Sequence, residues 1–189
     1  HAWQIVHLDH TLLDIQLRHA HTGQVLGRPW ATFAVDAYSR RLLAVVLTLD
    51  DQPSYRTCML VLREMVSRLG RLPQTLVVDN GKEFHSTYFQ ALLAHYAVEV
   101  AYRPPAQPRF GDVVERLFRT AHTQFIYNLT GNTQLSRQVR LMTASHDPRH
   151  LALWTLEALN AALQEWAYEI YDQAVHFSLG QSPRQLYQD

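Results

Sequence analysis

Apolar and polar residues alternate in short runs over the first quarter of the chain. The runs cover residues 3–17, 30–35 and 41–49, with turn residues between them that include Gly23 and a tight turn at 36–40. Alternation with a period of two is typical of β-strands, and short connections join neighbouring strands as hairpins. The pattern therefore predicts an antiparallel meander of three strands.

After residue 50 the apolar spacing changes to the period of a helix. Ser54 is a suitable N-cap for a helix that ends at Gly70, and Ser86 is a suitable N-cap for a second helix. Two short apolar runs, at 75–78 and 98–101, predict further strands. Strands that alternate with helices pair in parallel. We therefore predict an α/β fold with a five-stranded mixed sheet, in which the meander is joined by two parallel strands and flanked by helices.

The last part of the chain predicts an extended loop followed by helices. Prolines at 104, 105 and 108 favour the loop, and a helix is expected from Gly111 or Asp112 to about Tyr127. Residues 129–148 are polar and poorly patterned. A long helix is predicted from about 148 to 171, with a tail at 172–189 that ends in one further helical turn.

Composition narrows the class of protein. A length of 189 residues suits a single domain, so residues 1–189 are interpreted as one domain. The chain begins at His1 and enters a strand almost at once, and we expect it to be part of a longer protein. A formal net charge of zero argues mildly against a strong nucleic-acid binder. The single Cys58 excludes an internal disulfide, and the absence of a signal peptide or long apolar run predicts a cytoplasmic protein without a membrane span.

Three carboxylates occupy positions that favour a chemical role. Asp9 lies inside an apolar strand, where a charge is costly unless it is paired or binds a metal. Asp79 ends a buried strand, and ligand sites of α/β sheets lie beyond the carboxyl ends of strands. Glu115 lies near the start of a helix, where the dipole favours negative charge. Taken singly, each position is also ordinary for a turn, a helix cap or an exposed strand face.

The segments around these acids resemble the DDE recombinases of the retroviral-integrase superfamily. The resemblance rests on Leu8-Asp9-His10-Thr11, on Asp79-Asn80-Gly81-Lys82-Glu83-Phe84, and on Tyr102-Arg103-Pro104-Pro105 followed by Val114-Glu115-Arg116. Thirty-five residues separate Asp79 from Glu115, as the resemblance expects. The chain is most similar to Mu-like transposases and to the catalytic subunits of large multi-protein bacterial transposons. Two departures are Asp112, where a small or neutral residue is more usual, and Ala106, where glycine is expected.

This resemblance implies a ribonuclease H-like fold and a specific chemistry. Asp9, Asp79 and Glu115 would be the catalytic residues and the ligands of two Mg²⁺ or Mn²⁺ ions. The implied reaction is cleavage at element ends followed by joining of the 3′-hydroxyl ends to target DNA. The implied partners are element-end and target DNA, further copies of the chain, and other transposition subunits such as an ATPase regulator, in a bacterial cytoplasm.

Several other polar residues have two interpretations. Basic residues near the acids either contact DNA phosphates or belong to a solvated, salt-bridged surface. These residues are Lys82, Arg103, Arg109, Arg116 and Arg119. Asp14 is the main rival of Asp9, although strand alternation points the two side chains to opposite faces. Glu83 is expected to form a structural pair. Packing or surface roles are expected for the histidines at 7, 10, 19 and 21, which lack the companion ligands of a zinc site.

Two other functions stay open at this point. One is a nuclease of the same fold that cuts DNA without joining it, and the other is an inactive module for DNA binding or assembly. A kinase or a serine hydrolase has no support, because the sequence contains neither a P-loop nor a Ser-His-Asp pattern.

Overall fold

A five-stranded mixed sheet forms the centre of the chain. The computed structural model describes residues 1–104, 112–134, 147–149 and 151–188. The sheet consists of β1 (Ile5–Leu12), β4 (Trp30–Asp36), β5 (Leu42–Thr48), β6 (Thr75–Val78) and β7 (Glu99–Tyr102). Its strand order is β5-β4-β1-β6-β7, in which β5, β4 and β1 are antiparallel and β1, β6 and β7 are parallel. The predicted meander with two parallel strands is confirmed.

The first strand is shorter than predicted. It ends at Leu12, and Leu17–Arg18 forms a separate strand, β2, which pairs with β3 (Val25–Gly27) in a small two-stranded sheet. The chain turns because the Ile15 N–H donates to the carbonyl of Leu13 at 2.9 Å. This turn buries Leu13, Ile15 and Leu17 together and removes them from the strand alternation, so the prediction of one strand over 3–17 was wrong.

Helices cover both faces of the central sheet. On one face pack α1 (Tyr55–Leu69) and α2 (Thr87–His95), which share a core with Val6 and Leu8 of β1. On the other face pack α3 (Asp112–Gln124) and α4 (Leu156–Glu165). A short final helix, α5, spans Pro183–Gln188. Within the described part of the chain, every helix is too short or too polar to cross a lipid bilayer.

The predicted helix signals work well for α1 and less well near the C-terminus. Ser54 precedes α1, and Gly70 ends it with a φ of +73°, a left-handed conformation that glycine adopts without strain. The helix predicted over 148–171 instead begins at Leu156, because the hydroxyl of Thr155 accepts from the Ala158 N–H at 3.2 Å and caps it there.

Beyond Glu165 the helical path continues as a π-helical turn, Trp166–Ile170, and a 3₁₀ turn, Tyr171–Gln173. Helix α3 ends at Gln124, before the predicted Tyr127, and a separate 3₁₀ turn covers Ile126–Asn128. The predicted starting residue Gly111, the prolines at 105 and 108 and most of the polar stretch 129–148 lie outside the described residues.

Candidate active site

The parallel strands bring two of the predicted acids into one row. His7 of β1 pairs with Val77 of β6, and the same register, continued for two residues, aligns Asp9 with Asp79. Val6 and Leu8 are buried against α1 and α2, so strand alternation directs Asp9 to the opposite face, on which α3 packs. Asp79 therefore follows the carboxyl end of β6, and Asp9 lies inside β1, just beyond the last residue of β1 that pairs with β6. Ligand sites of such sheets usually lie beyond the carboxyl ends of the parallel strands.

Arg103 belongs to the same row. Val78 of β6 pairs with Tyr102 of β7, and the next residues in that register are Asp79 and Arg103. The pairing continues that far, because the Arg103 N–H donates to the Val78 carbonyl at 2.8 Å. We call Asp9, Asp79 and Arg103 the carboxyl-end row. The row places one cation beside two carboxylates on three strands that are neighbours in the sheet.

The cation of this row is paired with the more distant aspartate. The Nη2 of Arg103 donates to Oδ2 of Asp9 at 2.7 Å, and the two side chains are only 12% and 18% exposed. The other oxygen of Asp9, Oδ1, accepts from the His10 N–H at 2.8 Å. Asp79 instead accepts from the Gly81 N–H at 2.7 Å, in the turn that follows β6. Both oxygens of Asp9 thus have a partner within the chain.

A buried histidine and a third carboxylate lie beside the row. The ring of His10 stacks on Phe84 with centroids 5.3 Å apart, and its Nδ1 lies 2.6 Å from the hydroxyl of Thr32. Its Nε2 lies 3.3 Å from Oε1 of Glu83 but does not reach hydrogen-bond geometry. The structural pairing expected for Glu83 is therefore an approach to His10.

The charges of the two aspartates reach both members of this pair. Burial lowers the pKa of His10 to about 4, although the nearby charges of Asp9 and Asp79 act in the opposite direction. Burial also raises the pKa of Glu83, and the negative charges of Asp79 and Asp9 add to that increase. Asp9, Asp79 and Glu83 are therefore close enough for their charges to interact, and His10 is neutral at pH 7.

Glu115 lies on the helix that faces the row. It is in the first turn of α3, beside the buried Val114, and its own side chain is exposed. Over residues 1–104, 112–134, 147–149 and 151–188, no three acidic, histidine or cysteine side chains are arranged to hold one metal ion. The assignment of Asp9, Asp79 and Glu115 as a metal-binding triad thus stays a prediction. The donor chemistry fits, since carboxylate oxygens are the ligands that Mg²⁺ and Mn²⁺ prefer.

The predicted DNA-contacting residues have different environments. Lys82 lies in the exposed 3₁₀ turn Lys82–His85 that follows Asp79. Arg116 is 77% exposed and pairs with Asp112 at 3.3 Å, and Arg119 is also exposed on α3. Arg103 is paired with Asp9, whereas Arg109 lies outside the described residues. The salt-bridged surface considered for these residues is therefore observed for Arg116.

Asp14, the rival of Asp9, is part of a buried structural network. Its carboxylate accepts from Arg28 at 2.6 Å and from the hydroxyl of Tyr127 at 2.7 Å. The Nε2 of His122 accepts from its backbone N–H at 3.1 Å. Asp14 is 6% exposed, beneath α3 rather than in the carboxyl-end row. These contacts tie the end of β1 to the segment after α3.

The pairing of Arg103 with Asp9 is the feature that sequence reasoning missed. The sequence contained part of the signal for this pairing, because Arg103 directly follows β7 as Asp79 directly follows β6. Residues that follow parallel strands lie at the same end of the sheet, but only the strand order β1-β6-β7 brings Arg103 within reach of Asp9.

Comparison with known proteins decides the family. A family model described as the TnsB C-terminal domain matches residues 7–70 and 68–131, which together span well over half of the chain. The chain belongs to the TnsB C-terminal domain family. The transposase for transposon Tn552 of Staphylococcus aureus is 26% identical to this chain over an alignment of 136 residues that covers 68% of this chain and 27% of that protein. The chain therefore spans little more than a quarter of the length of this curated relative.

The solved structures that are similar to this chain include retroviral integrases. A simian T-cell lymphotropic virus intasome in complex with the PP2A regulatory subunit B56 gamma has a TM-score of 0.63 at 19% identity, with 99% of this chain and 55% of that chain covered. The HTLV-2 integrase catalytic core domain in complex with magnesium has a TM-score of 0.57 at 19% identity, with 98% of this chain and 96% of that chain covered. At these identities the likeness establishes the fold, which is ribonuclease H-like, as in integrase catalytic cores. The resemblance to a DDE transposase or integrase core is confirmed.

Proposed function

We propose that this chain is the catalytic domain of a metal-dependent DNA transposase, which cleaves DNA at element ends and joins the 3′-hydroxyl ends to target DNA. The observation that carries the proposal is the parallel pairing of β1 with β6, whose register, extended by two residues, sets Asp9 beside Asp79 on the sheet face against which the helix that bears Glu115 packs. Family membership supports the same activity, since the Tn552 relative is a transposase.

In this proposal Asp9, Asp79 and Glu115 hold Mg²⁺ or Mn²⁺, with two ions present when DNA is bound. Such ions would supply Lewis acidity, which activates the attacking hydroxyl and stabilises the departing 3′ oxygen. The HTLV-2 integrase core is a protein of this fold that was solved with magnesium. The fixed hydrogen bonds of the two aspartates, from His10 N–H and Gly81 N–H, orient their carboxylates.

Glu115 has a different part in the proposed site. Its side chain is exposed at the start of α3, where the helix dipole favours a carboxylate and where it is free to change rotamer. We expect Glu115 to turn towards the two aspartates when DNA and metal are present. The remaining residues proposed to contact DNA backbones are Lys82, Arg103, Arg109, Arg116 and Arg119.

The wider setting follows from the proposed activity. The substrates are element-end and target DNA, and the chain acts as one catalytic domain in an assembly of several copies on DNA. The similar simian T-cell lymphotropic virus structure is an intasome. A second transposition subunit, such as an ATPase regulator, and a bacterial cytoplasmic location belong to the same proposal.

Substitution of each acid tests the proposed function. In the full-length protein, Asp9→Asn, Asp79→Asn and Glu115→Gln should each reduce both cleavage of a labelled element-end duplex and joining of a pre-cut end by at least about 10³-fold. Circular dichroism and thermal unfolding should show an intact fold, since Asp79 lies in a turn, Glu115 lies on an exposed helix surface, and Asn closely matches the size of Asp at position 9 of β1.

Two exposed acids provide matched controls. Glu157→Gln removes a carboxylate from the first turn of α4, as Glu115→Gln does in α3, and Asp51→Asn removes one from a loop. Both controls should keep full activity. Substantial joining by any of the three triad variants would contradict the assignment. Cleavage without joining in the unaltered protein would indicate the nuclease, and neither activity with Mg²⁺ or Mn²⁺ would indicate an inactive DNA-binding module.

A further inference from the structure

The ion pair between Arg103 and Asp9 spans the site that the proposed function assigns to metal. Arg103 is aligned with Asp79, its neighbour in the carboxyl-end row, yet its guanidinium reaches past that residue to Asp9. With Oδ2 facing the guanidinium and Oδ1 accepting from the His10 N–H, neither oxygen of Asp9 is left without a partner. A cation that binds Asp9 must therefore displace the guanidinium or share the carboxylate with it.

The backbone of Arg103 is fixed, whereas its side chain is incompletely satisfied. Its N–H donates to the Val78 carbonyl at 2.8 Å, and its carbonyl accepts from Asn80 Nδ2 at 3.1 Å. The Nε atom is buried and, within the described part of the chain, has no hydrogen-bond partner. The guanidinium thus binds Asp9 through a single nitrogen. The arginine fork can form two parallel hydrogen bonds to one anion, such as a phosphate, so the contact with Asp9 uses only part of its donor capacity.

We propose that Arg103 is an exchangeable counter-ion, which holds Asp9 in the DNA-free protein and moves to a DNA phosphate when substrate enters. This inference rests on the proposed function, and it makes Arg103 a positioning residue. In the DNA-free protein the guanidinium competes with Mg²⁺ or Mn²⁺ for Asp9 and keeps metal affinity low. When the guanidinium transfers to a phosphate, Asp9 becomes available and metal binding becomes coupled to DNA binding.

The coupling has a measurable thermodynamic form. If DNA releases Asp9, then DNA must raise the affinity for Mn²⁺, and Mn²⁺ must raise the affinity for DNA by the same factor. Without Arg103, the carboxylates of Asp9, Asp79 and Glu83 lie together with no guanidinium among them. Metal affinity in the absence of DNA should then rise, and DNA should no longer increase it.

The experiment is a titration of the purified chain with Mn²⁺, with free ion measured by electron paramagnetic resonance, in the presence and absence of a short DNA duplex. Arg103→Gln should bind Mn²⁺ at least about tenfold more tightly than the unaltered chain when DNA is absent, and the increase caused by DNA should disappear. Arg103→Lys keeps the charge without the planar fork and should lie between the two. Arg56→Gln, which removes an exposed arginine from α1 on the opposite face of the sheet, should leave Mn²⁺ binding unchanged.

The outcomes separate this inference from the proposed function. If the unaltered chain binds Mn²⁺ through Asp9, as shown by loss of binding in Asp9→Asn, but Arg103→Gln binds it equally or more weakly, the ion pair is a static structural contact and the inference is overturned. If Asp9→Asn and Asp79→Asn leave Mn²⁺ binding unchanged in both backgrounds, the proposed metal site itself is wrong. Should Arg103→Gln fail to fold, Arg103→Lys decides: tighter Mn²⁺ binding than in the unaltered chain supports the inference, and unchanged binding overturns it.

Discussion

Asp9 and Asp14 show how the position of a side chain in the sheet decides its chemistry. The two aspartates are five residues apart. Asp9 belongs to the carboxyl-end row, where Arg103 is its counter-ion. The chain turns out of the sheet after Leu12, so Asp14 enters the core beneath α3 and is held by Arg28 and Tyr127. One aspartate is therefore available for exchange of partners, and the other is fixed for stability.

Removal of the Asp14 carboxylate should destabilise the fold without a direct effect on metal binding. Asp14→Ala removes the buried carboxylate that accepts from Arg28 and from the hydroxyl of Tyr127, which should lower the free energy of unfolding by about 3 kcal/mol. Urea unfolding followed by tryptophan fluorescence measures this change. Asp51→Asn, at an exposed loop position, should change the stability by less than about 0.5 kcal/mol. A loss below 1 kcal/mol in Asp14→Ala would show that the network contributes little.

At the scale of elements, the outer edge of the sheet is protected by the segment after α4. Strand β5 is an edge strand, and edge strands expose backbone groups that can pair with other chains. The hydroxyl of Tyr168, in the π-helical turn, accepts from the Val45 N–H at 2.9 Å and lies 3.3 Å from Oε1 of Glu64. Burial raises the pKa of Tyr168 well above its usual range, so the phenol stays neutral.

Loss of this hydroxyl should loosen the edge. Tyr168→Phe leaves the Val45 N–H without its acceptor, and the free energy of unfolding should fall by about 1–2 kcal/mol. Faster hydrogen exchange at the Val45 amide, measured by NMR, should accompany the change. The control is Tyr96→Phe, because Tyr96 is 59% exposed and its loss of a hydroxyl should be neutral. Equal exchange at Val45 in both variants would contradict this role of Tyr168.

The same elements show what sequence can and cannot predict. Ser54, Gly70 and Asp79 were predicted correctly as a cap, a helix end and a strand end, because local backbone preferences fix them. The start of α4 at Leu156 and the turn after Leu13 each combine a local hydrogen bond with a contact to a distant segment. The Arg18 N–H donates to the Trp154 carbonyl, and the Leu13 N–H donates to the Pro29 carbonyl, and the local pattern does not predict these distant contacts. The contact of Arg103 with Asp9 requires the order of three parallel strands, which no local pattern encodes.

In the molecule as a whole, the central sheet separates two layers of helices. Polar groups gather at one end of the sheet, where the parallel strands β6 and β7 finish. Helices α1 and α2 cover one face and α3 and α4 the other, while the carboxyl-end row consists of Asp9 inside β1 and of the residues that directly follow β6 and β7. The chain has no net charge to attract DNA. The proposed DNA binding therefore depends on the local arrangement of cations near the carboxyl-end row.

Exposed cations close to the row should contribute to DNA affinity more than equal cations elsewhere. Lys82→Gln should weaken duplex binding and reduce the slope of log affinity against log salt by about 1. The control is Arg56→Gln, which removes an exposed cation from the first turn of α1 on the opposite face of the sheet. Fluorescence anisotropy over a series of salt concentrations measures both. Equal slopes for the two variants would show that Lys82 does not contact the DNA backbone.

Diffraction from crystals can test directly whether Asp9 and Asp79 bind a divalent metal ion together. Crystals of the chain bound to DNA and soaked in Mn²⁺, measured near the manganese absorption edge, should show an anomalous peak between the carboxylates of Asp9 and Asp79. This peak should lie within about 2.5 Å of an oxygen of each aspartate, and it should be absent in Asp79→Asn. The proposed metal site would be contradicted if the DNA were ordered and manganese were bound only at other positions.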